Sequence, residues 1–130
     1  MNTQRLIEAL EEVVRDRTPT FINPKGDKKL MQAHYLLAKL YGREEDLRKA
    51  HAHLREATQE FLKMCRNYIL RYGYVPKSSE EKIKKQERKT ERRLARYKSE
   101  LLRIADEIGY DALIISWIPT SRNLSKIEKL

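Results

Sequence analysis

The stretch from Leu47 to Ile108 constrains the fold more than any other part of the chain. Apolar residues at Leu47, Ala50, Leu54, Ala57, Phe61, Met64 and Tyr68 are separated by steps of 3, 4, 3, 4, 3 and 4, the seam of a coiled-coil-like helix. A second arm carries Ile83, Leu94, Tyr97, Leu101, Ile104 and Ile108, with Glu87 and Thr90 at the two seam positions between Ile83 and Leu94. Between the arms, Gly73 suits the left-handed position after a helix and Pro76 cannot continue one. Ser78 with Glu81 has the capping-box spacing that starts the next helix. Each arm is roughly 40–45 Å long, and equal arms with a short connection are antiparallel neighbours.

The second arm is also the most basic part of the chain. From Lys82 to Lys98 it holds nine basic residues and two acidic ones. Lys82, Lys85, Lys89, Arg92 and Arg96 step by 3, 4, 3 and 4, which puts them in one stripe on one helix face. Arg88 and Arg93 widen it. Such a run can be a solvated face laced with pairs such as Glu81–Lys85, or a surface that tracks phosphates. The formal charge of +9 and the pI near 9.7 favour the second, with nucleic acid the first choice of anionic partner and an anionic membrane surface the second.

Shorter elements flank this pair. Thr3 can cap a first helix whose face of Leu6, Ile7, Leu10, Val13 and Val14 runs to about Asp16. Alone it is too short to be stable in water, so its apolar face must dock. Pro19 and Pro24 then enforce an extended strap from Thr18 to Gly26, with Phe21 and Ile22 laid against a surface and Lys25, Lys28 and Lys29 clustered beside it. A stiff strap could return helix one to its own core, or carry it to a neighbouring subunit or across a nucleic-acid backbone; the apolar face with the stiff strap suggests docking outside its own bundle. Asp27 is a good N-cap for a helix to about Tyr41, with Leu30, Ala33, Leu37, Leu40 and Tyr41 on its apolar side. Gly42 ends that helix, and the acids from Glu44 to Asp46 suit the start of the long arm. Gly109 stops the second arm. Tyr110 to Ile118 is the most apolar run; with every other element helical it reads as a short helix capped by Asp111 and ended by Pro119.

A chain of 130 residues is one domain, or one domain with an arm. The expected division is 1–26, an N-terminal helix and Pro-containing arm, and 27–130, a helical bundle with the basic hairpin. The fold class is all-α: a long antiparallel helical hairpin with shorter helices packed on it. No run of 18 or more apolar residues and no leader pattern is visible, so no transmembrane segment is expected and the chain should be soluble when made. The single Cys65 allows neither an internal disulfide nor a cysteine-based zinc site. High Glu, Lys and Arg content fits a hot-living source.

Signals of enzyme chemistry are few. His51 and His53 are two apart and face different ways on a helix, a poor metal pair, and His34 has no acidic partner at helical spacing. All three read as surface or half-buried. Gly-rich phosphate loops, nucleophile elbows and His-Glu-x-x-His are absent from the sequence. Arg48 and His53 have the Arg-x4-His spacing of the HEPN ribonucleases, a short pattern. The tyrosines lie mostly at helix ends or seams, where core packing with a polar tip explains them. Without exposed aromatics among the basic residues, duplex backbone binding is expected rather than stacking on single strands, and without Asn or Gln aimed at base edges, little sequence specificity.

An amphipathic helix, a Pro-containing strap with Lys25, Lys28 and Lys29, and a basic helical bundle form a layout that resembles the coat proteins of filamentous viruses of hyperthermophilic archaea, of the tristromavirus and lipothrixvirus kind. The resemblance lies in layout, size and charge along the whole chain. It implies double-stranded DNA held in an A-like form, a second related coat protein or a copy of the chain as partner, and a filament within the virion. The functional expectation is a non-enzymatic structural nucleoprotein that packages duplex DNA without sequence specificity and takes no cofactor, metal or small-molecule substrate. Its contacts are Lys25, Lys28, Lys29, Lys82, Lys85, Arg88, Lys89, Arg92, Arg93 and Arg96. The alternatives are a cellular chromatin-type or regulatory helical protein in the cytoplasm or nucleoid, and a HEPN-like ribonuclease.

Overall fold

The computed structural model describes residues 2–18, 23–72 and 80–120. These residues form α1 (Thr3–Arg17), α2 (Lys28–Arg43), α3 (Leu47–Tyr72), α4 (Glu81–Ile108) and α5 (Leu113–Trp117). All five elements are helices, as the periodicities predict. The expectations placed on Phe21, Ile22, Gly73, Pro76 and Ser78 lie outside the described residues.

Helix α2, rather than the long arms, is the hub. It packs chiefly on α3 and also touches α1 and α4. Beyond the apolar side expected from its sequence, Met31, His34 and Ala38 are buried too, because neighbours cover α2 on more than one side. Asp27 caps it as expected: its Oδ1 accepts from the Lys29 and Leu30 amides at 2.9 and 3.1 Å. The turn to α3 is short. Glu45 takes the left-handed conformation (φ 60°), and the Asp46 carboxylate accepts from the Lys49 amide at 3.3 Å, opening α3.

Gly42 does not end α2; the helix runs on to Arg43. A Cβ at Gly42 would lie 2.6 Å from Cγ2 of buried Ile108, so the glycine serves a close approach between the ends of α2 and α4. The αL stop belongs to Gly109 (φ 69°), where the Tyr110 amide reaches the Ala105 carbonyl at 2.8 Å.

Along α3 the buried line is Ala50, Leu54, Ala57, Phe61, Cys65, Tyr68 and Tyr72, in steps of 4, 3, 4, 4, 3 and 4. Met64 is only half-buried and Leu47 is exposed. The seam thus keeps close to the ~3.6-residue period of a straight helix and drifts off the ~3.5-residue period of a coiled coil. On α4 the facing line is Glu87, Leu94, Tyr97, Leu101, Ile104 and Ile108, while Ile83 stays exposed. Tyr68 near the end of α3 donates to Glu91 at 3.2 Å, and His51 near its start donates through Nε2 to the Ile108 carbonyl at 2.7 Å.

Helix α1 corrects one expectation. Its cap is Asn2, whose Oδ1 accepts from the Gln4 amide at 2.9 Å, with Thr3 the first helical residue. More importantly, it docks on its own chain. Ile7 is buried with Leu37 and Leu40, and Leu6, Leu10 and Val14 pack alongside. Arg17 pairs with Asp27 at 2.9 Å, which ties the end of α1 to the start of α2. Leu37 and Leu40 of α2 give the amphipathic face its apolar cover within the chain, and burying it there stabilises by about 1.5–3 kcal/mol per large side chain.

Helix α5 is the short helix expected. Ile115 and Ile118 are buried, and Lys98 Nζ donates to the Ser116 and Ile118 carbonyls, both at 2.8 Å. Asp111 accepts from the Leu113 amide at 3.0 Å.

The close approach at Gly42 is testable. Gly42→Val should destabilise the fold by about 1–3 kcal/mol through overpacking against Ile108, read as a lower urea midpoint with an unchanged m-value. An unchanged midpoint would mean that the approach of α2 to α4 is looser than 2.6 Å implies.

Candidate nucleic-acid interface

Lys82, Lys85, Lys89, Arg92 and Arg96 are all exposed on α4, turned away from the line of Leu94, Tyr97, Leu101 and Ile104. Among the described residues, none of the five forms an ion pair with an acid of the same segment. Glu87 is buried, Glu91 is half-buried under the Tyr68 hydroxyl, and Glu81 pairs with Arg88 at 2.9 Å rather than with Lys85. Hydrogen bonding and charge from Arg88 hold the Glu81 carboxyl below its usual range. Further along, Arg103 pairs with Glu100, so the run of cations without an ion pair among the described residues stops at Arg96. Lys98 is not part of it, because its ammonium is committed to the carbonyls of α5. Burial lowers the Lys98 pKa, partly opposed by Cys65, whose own thiol is pushed up to about 12 by burial.

The strap lysines are positioned by the turn at Asn23–Asp27. The Asn23 side chain accepts from the Lys25 amide at 3.0 Å, and the Asp27 amide donates to buried Glu60 on α3 at 3.1 Å. Gly26 (φ 76°) lies so close to α3 that a Cβ would meet the Glu60 carbonyl at 2.7 Å. Burial disfavours ionisation of Asp27. The Arg17 hydrogen bond and charge, with the Leu30 and Lys29 amides, outweigh it and hold the carboxyl low.

This anchoring brings Lys25 and Lys28 to α4. Both line a recess of about 270 Å³ with Arg93, and Lys28 lines a shallower groove with Arg96. Lys29 is exposed but lines neither, while Arg88 and Arg92 share a third recess with Glu91 and Thr120. Lys82, Lys85 and Lys89 extend the stripe beyond these recesses. Arg71, near the end of α3, also lines the first recess and was not among the residues expected there. Nothing in its local sequence marks it, for it stands outside any basic cluster.

The histidines are more connected than their spacing suggests. His34 and His53 approach Nδ1 to Nδ1 at 2.9 Å, and His53 Nε2 lies 3.2 Å from Glu11 Oε1. Tyr41 donates to the same oxygen at 2.8 Å and stacks on the His53 ring. His34 is buried, against the surface or half-buried position expected, and its acidic partner comes through His53 from α1. One of the facing Nδ1 atoms must carry hydrogen and the other accept, so the pair shares a proton. Burial first, and the neighbouring His53 second, push the His34 pKa down to about 4; Glu11 opposes them. Both ring nitrogens of His53 are engaged, and Arg48 of the Arg-x4-His spacing is exposed. Among the described residues, no group of three His, Cys, Asp or Glu could hold a metal ion, and no helix is long and apolar enough to cross a membrane.

Compared with protein-family models, curated proteins and solved structures, the chain matches none.

The His34 environment sets a pH dependence. The unfolded chain protonates His34 near its ordinary value of 6.5, the folded chain only near 4. Between those values the unfolded state binds more protons, so stability is full above 6.5 and falls as pH drops towards 4. Urea midpoints should decline from pH 7 to pH 5, and His34→Leu should flatten that decline whatever its own stability. An equal slope in the variant would place the pH response elsewhere.

Proposed function

We propose that this protein is a structural nucleoprotein that binds double-stranded DNA without sequence specificity, through the basic face of α4 and the strap lysines. One observation carries the reading: the stripe from Lys82 to Arg96 stays exposed while Glu87 is buried, Glu91 is turned to Tyr68 and Glu81 is turned to Arg88. A solvated face would show interleaved pairs instead. The stripe spans roughly 20 Å of helix, long enough to run beside several phosphates. Its side chains are Lys and Arg, whose contacts to phosphate fix position without carrying sequence information. Tyr97, the one aromatic in the sequence from Lys82 to Lys98, is buried, which argues against stacking on unpaired bases.

In this reading α3 and α4 act as an antiparallel hairpin that offers the stripe, and the subunit repeats along DNA as in the coat of a filamentous virus. The partner is a copy of the chain or a related coat protein, and the site of action is the virion. Exposed Leu113, Ile114 and Trp117 on α5 supply apolar area for such association. A chromatin-type protein would use the same chemistry without the filament; electron microscopy of the protein mixed with DNA separates the two.

Affinity for duplexes of unrelated sequence should fall with salt along parallel log–log lines. Replacing Lys85, Lys89, Arg92 and Arg96 together by Gln keeps good helix formers and should reduce the slope by about 0.9 for each phosphate left unneutralised. The control replaces Arg5, Arg43, Arg55 and Arg66, exposed residues outside the stripe. Equal weakening in both variants would mean that net charge alone matters. A wild-type slope near zero would remove the proposal.

A further inference from the structure

We infer that the recess between the Asn23–Asp27 turn, the end of α3 and the middle of α4 is a seat for one phosphate group. Four cations from four parts of the chain line it: Lys25 in the turn, Lys28 at the start of α2, Arg71 on α3 and Arg93 on α4. Among the described residues, no carboxylate lines it, although the chain holds 19 Asp and Glu. Three acids of the surrounding elements have partners of their own. Asp27 holds Arg17, Glu60 holds Lys63 and the Asp27 amide, and Glu91 accepts from Tyr68. Like charges brought together raise the local positive potential and destabilise the fold; an anion offsets that cost.

The recess is built rather than incidental. Gly26 allows the turn to lie on α3, and this sets where Lys25 and Lys28 reach. The Arg71 guanidinium rests 5.4 Å from the Tyr72 ring centre, which limits its freedom before any ligand arrives. Asn67 and Thr90 add neutral polar groups to the wall. At about 270 Å³ the space suits a phosphate with bridging water and falls below the ~300–1,000 Å³ of drug-sized sites. Two guanidinium forks and two ammonium groups match a tetrahedral anion with several acceptor oxygens. The phosphate can come from a duplex backbone or from a free phosphate compound. The inference rests on the duplex-binding proposal only for the first source.

Two measurements on the full chain decide it. The first titrates wild type, Arg71→Gln, Arg93→Gln and the exposed control Arg66→Gln with inorganic phosphate, followed by amide chemical shifts. Phosphate should perturb residues around Asn67 and Arg71 and bind about tenfold more weakly to Arg71→Gln and Arg93→Gln. The control should match wild type, and all four should keep the same circular dichroism. The second measures the salt slope on a duplex, where Arg71→Gln should fall about 0.9 below Arg66→Gln. Both effects assign the seat to a backbone phosphate. Weaker phosphate binding with an unchanged duplex slope assigns it to a free phosphate compound. No localised response to phosphate, or equal responses in Arg71→Gln and Arg66→Gln, overturns the seat. A wild-type chain that ignores DNA yet binds phosphate here would sink the duplex proposal and leave this one standing.

Discussion

Asp27 is the node on which the arrangement of charge depends. Its side chain caps α2 and holds Arg17 of α1, while its backbone amide donates to Glu60 on α3. Three helices are thereby fixed at one residue, with Lys25 and Lys28 on either side of it. A charge-assisted cap with a guanidinium partner is stronger than a neutral one. The placement of the strap lysines beside Arg93 and Arg96 follows from this anchor and from the room Gly26 leaves above α3.

The distribution of charge follows the same logic. Several acids stabilise the interior or the helix ends: Glu11 takes Tyr41 and His53, Glu60 takes Lys63, and Asp46 opens α3. They are then not free to screen the basic face of α4. Net positive charge favours association with polyanions and works against the compact state. In this chain the second effect is offset by a continuous core running from Met31 and Phe61 through Leu101 to Ile115.

Much of this could be read from the sequence where a local rule decides. Asp27, Gly109 and the start of α3 at Leu47 follow from cap and stop chemistry, and the basic stripe follows from 3.6-residue spacing. The misreadings share one cause. Gly42 sits where a stop signal and a close approach look identical in sequence; only the position of Ile108 separates them. An amphipathic α1 announces that a surface is covered, but Leu37 and Leu40 had to be found by folding. Met64 and Cys65 exchange places because steps of three and four fit both a 3.5 and a 3.6 repeat over short lengths. Arg71, and the chain of Glu11, His53 and His34, join residues from different helices, where spacing carries no information.

The order in which the helices touch has a kinetic consequence. Apart from the packing of α2 on α4, the principal packed pairs are consecutive along the chain. Such a chain has a low contact order, and helical folds of this kind close in microseconds to milliseconds. Subunit association proceeds on about the millisecond-to-minute scale and depends on concentration. The core, α1 included, is closed by contacts within one chain. Any larger structure the chain enters is assembled from finished parts, not folded into place.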